Sequence, residues 1–98
     1  MIFQLYHIIS IANIDLEKYE EAIDAFKKGI RLDENDLYLR LYAAAAYSLL
    51  GMKDEAQAEI KEILRIEPGF SLQDSRFFIF PHSSRKLCIE ALRKAGLR

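Results

Sequence analysis

The sequence predicts an all-α protein built of antiparallel helical hairpins, stacked as a short right-handed α-α superhelix of about six helices. Three observations predict it: segments recur at an offset of about 34 residues, apolar residues within them follow helical spacing, and glycine or proline follows several predicted helices. A chain of 98 residues, 51% hydrophobic and 30% charged, suits one soluble domain. We therefore expect a single domain over residues 1–98.

The repeat is clearest where Tyr-Glu-Glu-Ala at residues 19–22 returns as Lys-Asp-Glu-Ala at residues 53–56. Each repeat is predicted to contain two helices, at about 3–14 and 18–32 and then at about 37–50 and 53–66. Because the connections are short, paired helices should be antiparallel neighbours. The first repeat then spans 3–36 and the second 37–70. Apolar positions match at the same offset, with Ala22, Phe26, Ile30 and Leu32 corresponding to Ala56, Ile60, Leu64 and Ile66.

Residues 71–98 lose this period and are predicted to form a helical cap. Ser71 is a candidate N-cap for a fifth helix that runs to about Phe80, and Ser83 or Ser84 can cap a sixth helix after the proline at 81. Gly96 is expected to end that last helix. Aromatic side chains are expected to cover the apolar face left by the last repeat, namely Phe77, Phe78 and Phe80.

The first 14 residues are apolar and carry no Lys or Arg. A helix that crosses a membrane needs about 20 apolar residues, so this stretch is too short. A signal peptide would need a basic start and a small-residue cleavage site, and neither is present. The pattern therefore predicts a buried helix and no transmembrane segment.

These residues resemble the tetratricopeptide repeat family, whose unit is about 34 residues folded as two antiparallel helices. The resemblance covers residues 3–70, and it implies protein binding. Three positions depart from the family pattern: Glu17 and Glu34 replace the turn glycine and final proline, and Arg40 replaces an aromatic residue. Small and large residues fall at the expected helix contacts, with Ser10, Ala22, Gly29, Ala44 and Ala56 as the small ones and Tyr6, Ile9, Phe26 and Tyr47 as the large ones.

The C-terminal end, from Pro-Gly-Phe-Ser at 68–71 to Leu-Arg-Lys-Ala-Gly-Leu at 92–97, resembles repeat regions attached to bacterial class III adenylate/guanylate cyclases and related regulators. This resemblance implies a module that regulates or assembles a larger protein. The cyclase catalytic domain requires sheet-forming segments, and the predicted helices account for this chain. No cyclase activity is therefore inferred.

In the family's architecture the first helix of each unit lines a concave groove. Family members that clamp a peptide's terminal carboxylate use lysine and asparagine there, whereas this chain carries His7, Ile11 and Tyr42, which favours an apolar or mixed peptide or helix. An alternative of equal weight is that some of the residues on this face pack against neighbouring helices or against a second copy of the chain. The resemblance implies the following groove residues, called the groove face below: Gln4, His7, Ile11, Tyr38, Leu41, Ala45 and Ser48.

Two functions from different classes follow. The first is a non-catalytic interaction module that binds a protein or peptide in the groove, as part of a larger multidomain regulator. The alternative is a self-association module that dimerises a cyclase-like or other regulatory protein. The alternative is favoured by the small size of the domain, which leaves a modest core, and by the apolar first helix.

Catalytic, cofactor and metal sites are not predicted. Cys88 has only His82 or His7 as candidate bases and lies on the apolar stripe of the last helix, where a buried thiol is expected. Two histidines and one cysteine cannot supply a tetrahedral metal site without distant carboxylates. The glycines are scattered singly, so no phosphate-binding loop is formed.

Charge is divided unevenly along the chain. Residues 1–70 carry a net charge of -5 and residues 71–98 a net charge of +4. The pattern favours solvated surface charge, or docking against an acidic partner, over nucleic-acid binding, because no recognised binding motif accompanies it. The single cysteine excludes an internal disulfide and indicates a cytoplasmic protein. The basic tail comprises Arg85, Lys86, Arg93, Lys94 and Arg98.

Overall fold

The structure, a computed structural model, describes residues 2–73 and 80–98, with side chains from Leu5 onward. These ranges hold no strand, and the all-α prediction is confirmed. The predicted fifth helix, with Phe77 and Phe78, falls largely on residues 74–79, outside the described residues. Five helices are described, numbered here in chain order as α1 (Ile2–Asp15), α2 (Tyr19–Leu32), α3 (Leu37–Leu49), α4 (Lys53–Ile66) and α5 (His82–Ala95).

Helix α3 lies at the centre and contacts the other four helices. It pairs with α4, as α1 pairs with α2, and α2 packs against α3 to join the two hairpins. Ala43–Ala46 are all fully buried, because neighbours surround α3 and only small side chains allow them to approach closely. Phe26 fills the space between the hairpins, with its ring edge-on to Tyr47 at a centroid distance of 5.4 Å. Its burial contributes about 2–3 kcal/mol.

Helices α2 and α3 approach each other closely at Gly29. A Cβ atom built at Gly29 would lie 2.5 Å from Cδ1 of Leu39 and 3.1 Å from Cβ of Tyr6. Leu39 is itself fully buried and has little room to move aside. The small residue in the middle of α2 is therefore required by packing and not by helix propensity, which favours alanine there.

The turns that close α1 and α3 have the same geometry. Glu17 and Gly51, which occupy equivalent positions of the two repeats, both adopt left-handed backbone, with φ of 61° and 76°. In the first turn the Lys18 N–H donates to the Asn13 carbonyl at 2.7 Å, and the equivalent bond in the second turn is 2.8 Å. This is the pattern of a Schellman motif, which normally takes glycine. The glutamate thus occupies a glycine conformation without being glycine.

Helix α5 begins and packs differently from the expectation. Pro81 occupies the N-cap position and no side chain caps the helix, so the predicted caps Ser83 and Ser84 are wrong. Proline suits a helix start because its fixed φ is compatible with the first turn and its missing N–H is not needed there. Gly96 ends the helix with φ of 114°, as predicted. The helix packs mainly against α3, with smaller contacts to α4 and α1.

Candidate functional site

The groove face predicted from the sequence is formed by α1 and α3, and α5 covers part of it. His7 and Ile11 on α1 are half-buried, and Tyr38 on α3 is partly exposed. Leu41 and Ala45 are fully buried. The side chain of Gln4 lies outside the described residues. In this conformation a ligand therefore reaches the groove face at His7, Ile11 and Tyr38, which are called its open end below.

The carboxylate of Asp36 fixes the arrangement of side chains at the open end. Asp36 precedes α3 and caps it, because its Oδ1 accepts a hydrogen bond from the Leu39 N–H at 3.1 Å. Its other oxygen, Oδ2, lies 2.8 Å from Nε2 of His7. The ring of Tyr42 packs edge-on to His7, with centroids 6.3 Å apart. The cap of one hairpin thus orients the histidine of the other.

The covered end receives the C-terminal segment of the chain. The fully buried ring of Phe80 packs edge-on to Tyr42, with centroids 5.5 Å apart. Ser48 donates a hydrogen bond from its hydroxyl to the carbonyl of Ala91 in α5 at 2.7 Å. Phe80 thus lies on the second repeat, as the sequence predicted for the cap, and it does so on α3 beside the groove face.

A further hydrogen bond joins α5 to the first repeat. The hydroxyl of Ser83 donates to Oδ1 of Asp15, at the end of α1, with a distance of 2.6 Å. Together with the Ser48 bond, this contact extends α5 across the ends of α1 and α3. A helix of the same chain therefore lies against the groove face at Ser48 and against the end of α1.

Burial raises the pKa of two titratable groups of this region, the Tyr42 hydroxyl and the Cys88 thiol. Burial, and to a smaller extent the negative charge of Asp36, raises the pKa of the Tyr42 hydroxyl to about 12. Burial likewise raises the pKa of the Cys88 thiol to about 12. A thiol with so high a pKa is a poor nucleophile. Cys88 is the buried structural residue that the sequence predicted.

The part of the chain that the structure describes contains no candidate metal site. No group of three or more His, Cys, Asp or Glu side chains is placed there to hold an ion. Among the described helices, none is long and apolar enough to cross a membrane.

A second surface lies on α1, the helix that favours the self-association alternative. The apolar first helix was predicted to be buried, but Leu5, Ile8 and Leu16 are 52%, 63% and 64% exposed, which corrects that prediction. Together with Ala12 they follow spacings of three and four residues and share one helix face, called the α1 stripe below. The helix packs against α2 and α3 on its other side, and nothing in the described chain covers this one.

The α1 stripe borders an acidic cleft between α1 and α2. Ile9 and Asn13 form the α1 wall of the cleft, and Glu20, Glu21 and Asp24 are among the residues of its α2 wall. Nζ of Lys28 lies 3.1 Å from Oδ2 of Asp24 and offsets part of this charge. An apolar strip with an acidic border is suited to a partner that is apolar and basic.

The fold agrees with the comparison with known proteins. A model of the family described as tetratricopeptide repeat matches residues 13–75. The chain belongs to the tetratricopeptide repeat family. Tetratricopeptide repeat domains generally mediate protein-protein interaction and are typically non-catalytic.

One curated relative is the TPR repeat-containing protein YpiA of Bacillus subtilis (strain 168), which is 42% identical over 52 residues. The match covers 53% of this chain and 12% of that protein. The chain therefore spans only a small part of the length of this relative. No solved structure matches the chain.

Proposed function

We propose that this protein is a non-catalytic interaction module that binds a helix or peptide of a partner protein on its groove face. The observation that supports the proposal is that this side of α3 already accepts a segment of the chain itself. α5 bonds Ser48 of the groove face, and the ring of Phe80, just before α5, packs on the neighbouring Tyr42. A partner would use the same features. The proposed contact residues are Gln4, His7, Ile11, Tyr38, Leu41, Ala45 and Ser48.

Access to the whole groove face requires α5 to move. Leu41 and Ala45 are fully buried, so a partner first meets Tyr38, His7 and Ile11 at the open end. The measured affinity is then the intrinsic affinity reduced by the fraction of molecules with α5 displaced. A partner segment with an aromatic side chain can replace Phe80 against Tyr42. This competition makes α5 a built-in selector for ligands that offer a comparable anchor.

Within the cell we propose that the module belongs to a larger regulator. The C-terminal resemblance to repeat regions attached to cyclases supports this, as does a relative of which the chain covers only 12%. No cofactor is expected for such a role. The cytoplasmic setting remains a prediction based on the single cysteine.

Peptide selection tests the groove proposal. Peptides are selected against the full chain from a random library, and their dissociation constants are then measured by fluorescence anisotropy. We expect Tyr38→Ala to weaken binding about tenfold, the loss of one aromatic contact at a binding site. The matched control is Leu64→Ala on α4, because both side chains are 37% exposed. Equal binding by wild type and Tyr38→Ala would refute the groove as the site.

Cys88 reports whether the ligand displaces α5. The thiol is fully buried on α5 and is the only cysteine in the chain, so its reaction with a disulfide reagent requires α5 to leave. We expect a selected peptide to accelerate this reaction in proportion to its occupancy. A peptide that binds and leaves the reaction rate unchanged would show that it does not enter the covered end.

Self-association is a second candidate, favoured by the exposed α1 stripe. Contiguous exposed apolar residues on a small domain mark an interaction surface, and a second copy can cover them. Light scattering across a concentration series measures the mass of the isolated chain. We expect a mass above that of the monomer, lost in Ile8→Ser and kept in the control Leu32→Ser, whose side chain is 56% exposed on α2. A constant monomer mass would exclude this candidate.

A further inference from the structure

The α1 stripe and the cleft beside it form one continuous surface. Ile9 of the cleft lies four residues from Leu5 and three from Ala12 of the stripe, and residues at these spacings are neighbours on a helix surface. No Lys or Arg occurs in the first 14 residues, and the acidic side chains of α2 stand along the opposite edge. The surface is therefore apolar in its middle and negative on one side.

The outward side of α5 has the complementary chemistry. Lys86, Arg93 and Lys94 are exposed there, while the opposite side of the helix, with Cys88, is buried against the domain. Leu87 is 46% exposed at the edge of this basic face. Arg93 forms an ion pair with Glu90, so the two lysines are the main basic groups available to a partner. The outward face is thus basic with an apolar edge.

We propose that the α1–α2 surface docks the outward face of α5 from a second copy of the chain, head to tail. The proposal rests on the self-association candidate above and names the two surfaces that meet. Charge complementarity carries it: Glu20 and Glu21 on one copy would face Lys86 and Lys94 on the other. Residues 1–70 carry a net charge of -5 and residues 71–98 a net charge of +4, which also favours contact between the first part of one copy and the second part of another.

A symmetric pairing of two α1 stripes is disfavoured by the same charges. It would bring the acidic rims of both copies together, and like charges across an interface oppose association. A head-to-tail contact instead uses two different surfaces, so each copy keeps one of them available for a further copy. The assembly therefore grows with concentration unless the rotation between copies closes a ring.

Charge reversal on the acidic side is the first arm of the test. Glu20→Lys with Glu21→Lys reverses the rim, and the matched control is Asp54→Lys with Glu55→Lys. Both pairs lie in the first turn of their helices, at the same offset of the repeat, so both meet the same helix dipole. We expect association at least about tenfold weaker for the rim variant and unchanged for the control, measured by light scattering at low ionic strength, where charge pairs are least screened.

Reversal of the basic side and mixing form the second arm. Lys86→Glu with Lys94→Glu should also abolish association when measured alone. An equimolar mixture of this variant with the rim variant should regain mass, because each then offers a charge opposite to that of the other. The regained mass also shows that both variants are folded. No simple loss of stability gives this result.

The outcomes separate the inference from the candidate on which it rests. A wild-type mass that stays monomeric at all concentrations overturns both. Association that survives both charge reversals but is lost in Ile8→Ser overturns the head-to-tail contact alone and indicates symmetric pairing of the α1 stripes. A mixture that stays monomeric while each parent variant is also monomeric overturns the proposed pairing of the two faces.

Discussion

Glu17 occupies a backbone conformation that favours glycine, and exchanging it with Gly51 tests how much stability this removes. The left-handed region costs a residue with a Cβ atom roughly 1–2 kcal/mol. Glycine at the same place lowers the free energy of unfolding by about 0.4–1 kcal/mol, because it gives the unfolded chain greater conformational freedom. We therefore expect Glu17→Gly to stabilise the protein by about 0.5–1 kcal/mol. Gly51→Glu, at the equivalent turn with φ of 76°, should destabilise it by a similar amount.

Urea unfolding followed by far-ultraviolet circular dichroism measures both changes. With a denaturant dependence of about 1 kcal/mol per molar for a domain of this size, the midpoints should move by about 0.5–1 M in opposite directions. Glu17→Ala separates charge from conformation, because alanine removes the carboxylate but keeps the Cβ atom. The same stabilisation by alanine, or none by glycine, would refute the conformational argument. The double exchange should leave the midpoint near that of wild type.

Three further changes follow from the structure. Gly29→Ala should destabilise the protein by about 1–2 kcal/mol in urea unfolding, because the new Cβ atom would meet the fully buried side chain of Leu39. This cost should exceed the gain from the better helix propensity of alanine. The control Gly69→Ala has open space around its Cβ atom and should be nearly neutral. Because burial raises the pKa of the Cys88 thiol from 9.0 to about 12, stability should be constant below about pH 9 and then fall by up to about 1.4 kcal/mol per pH unit. Above about pH 10 the Tyr42 hydroxyl, whose pKa burial also raises, adds to this fall. Cys88→Ala should therefore remove the slope below the range in which Tyr42 contributes, and a Cys88→Ala curve that keeps it there would contradict the argument. Arg40→Ala should lower the free energy of unfolding by about 1–3 kcal/mol. The largely buried guanidinium of Arg40 binds the Glu59 carboxylate at 2.9 Å and the Glu34 carbonyl at 3.1 Å. The control Arg65→Ala removes an exposed ion pair and should lower the free energy of unfolding by less than about 0.5 kcal/mol.

The repeat helices could be predicted because their signals are local. Apolar spacing and the constant offset between the repeats place four helices within one residue of their observed ends, a difference no larger than the fraying expected at helix ends. Gly96 was expected to end the last helix for the same reason, and it does so in left-handed backbone. Glu17 shows the limit of such a rule. Its turn forms in the glycine geometry because the repeat imposes it, although the residue type alone gives no sign.

The position of α5 could not be predicted, because its contacts join residues that are far apart in sequence. The hydrogen bond from Ser48 to Ala91 spans 43 residues, and no periodic pattern indicates such a pairing. The exposed α1 stripe was missed for a related reason. An apolar helix is buried only where neighbours cover all its faces, and sequence composition does not say how many neighbours a terminal helix has.

The two proposed uses of α5 are linked, and the link can be measured. Docked on the groove face, α5 holds its basic side outward, where a second copy can meet it. A ligand that displaces α5 from the groove face removes that basic side from its docked position and should weaken self-association. By reciprocity, self-association must weaken ligand binding by the same factor. We therefore expect the dissociation constant of a selected peptide to rise as the protein concentration passes through the association range, and to stay constant in the Glu20→Lys and Glu21→Lys double variant. A constant value in both proteins would show that α5 does not couple the two surfaces, because the coupling free energy would then be zero.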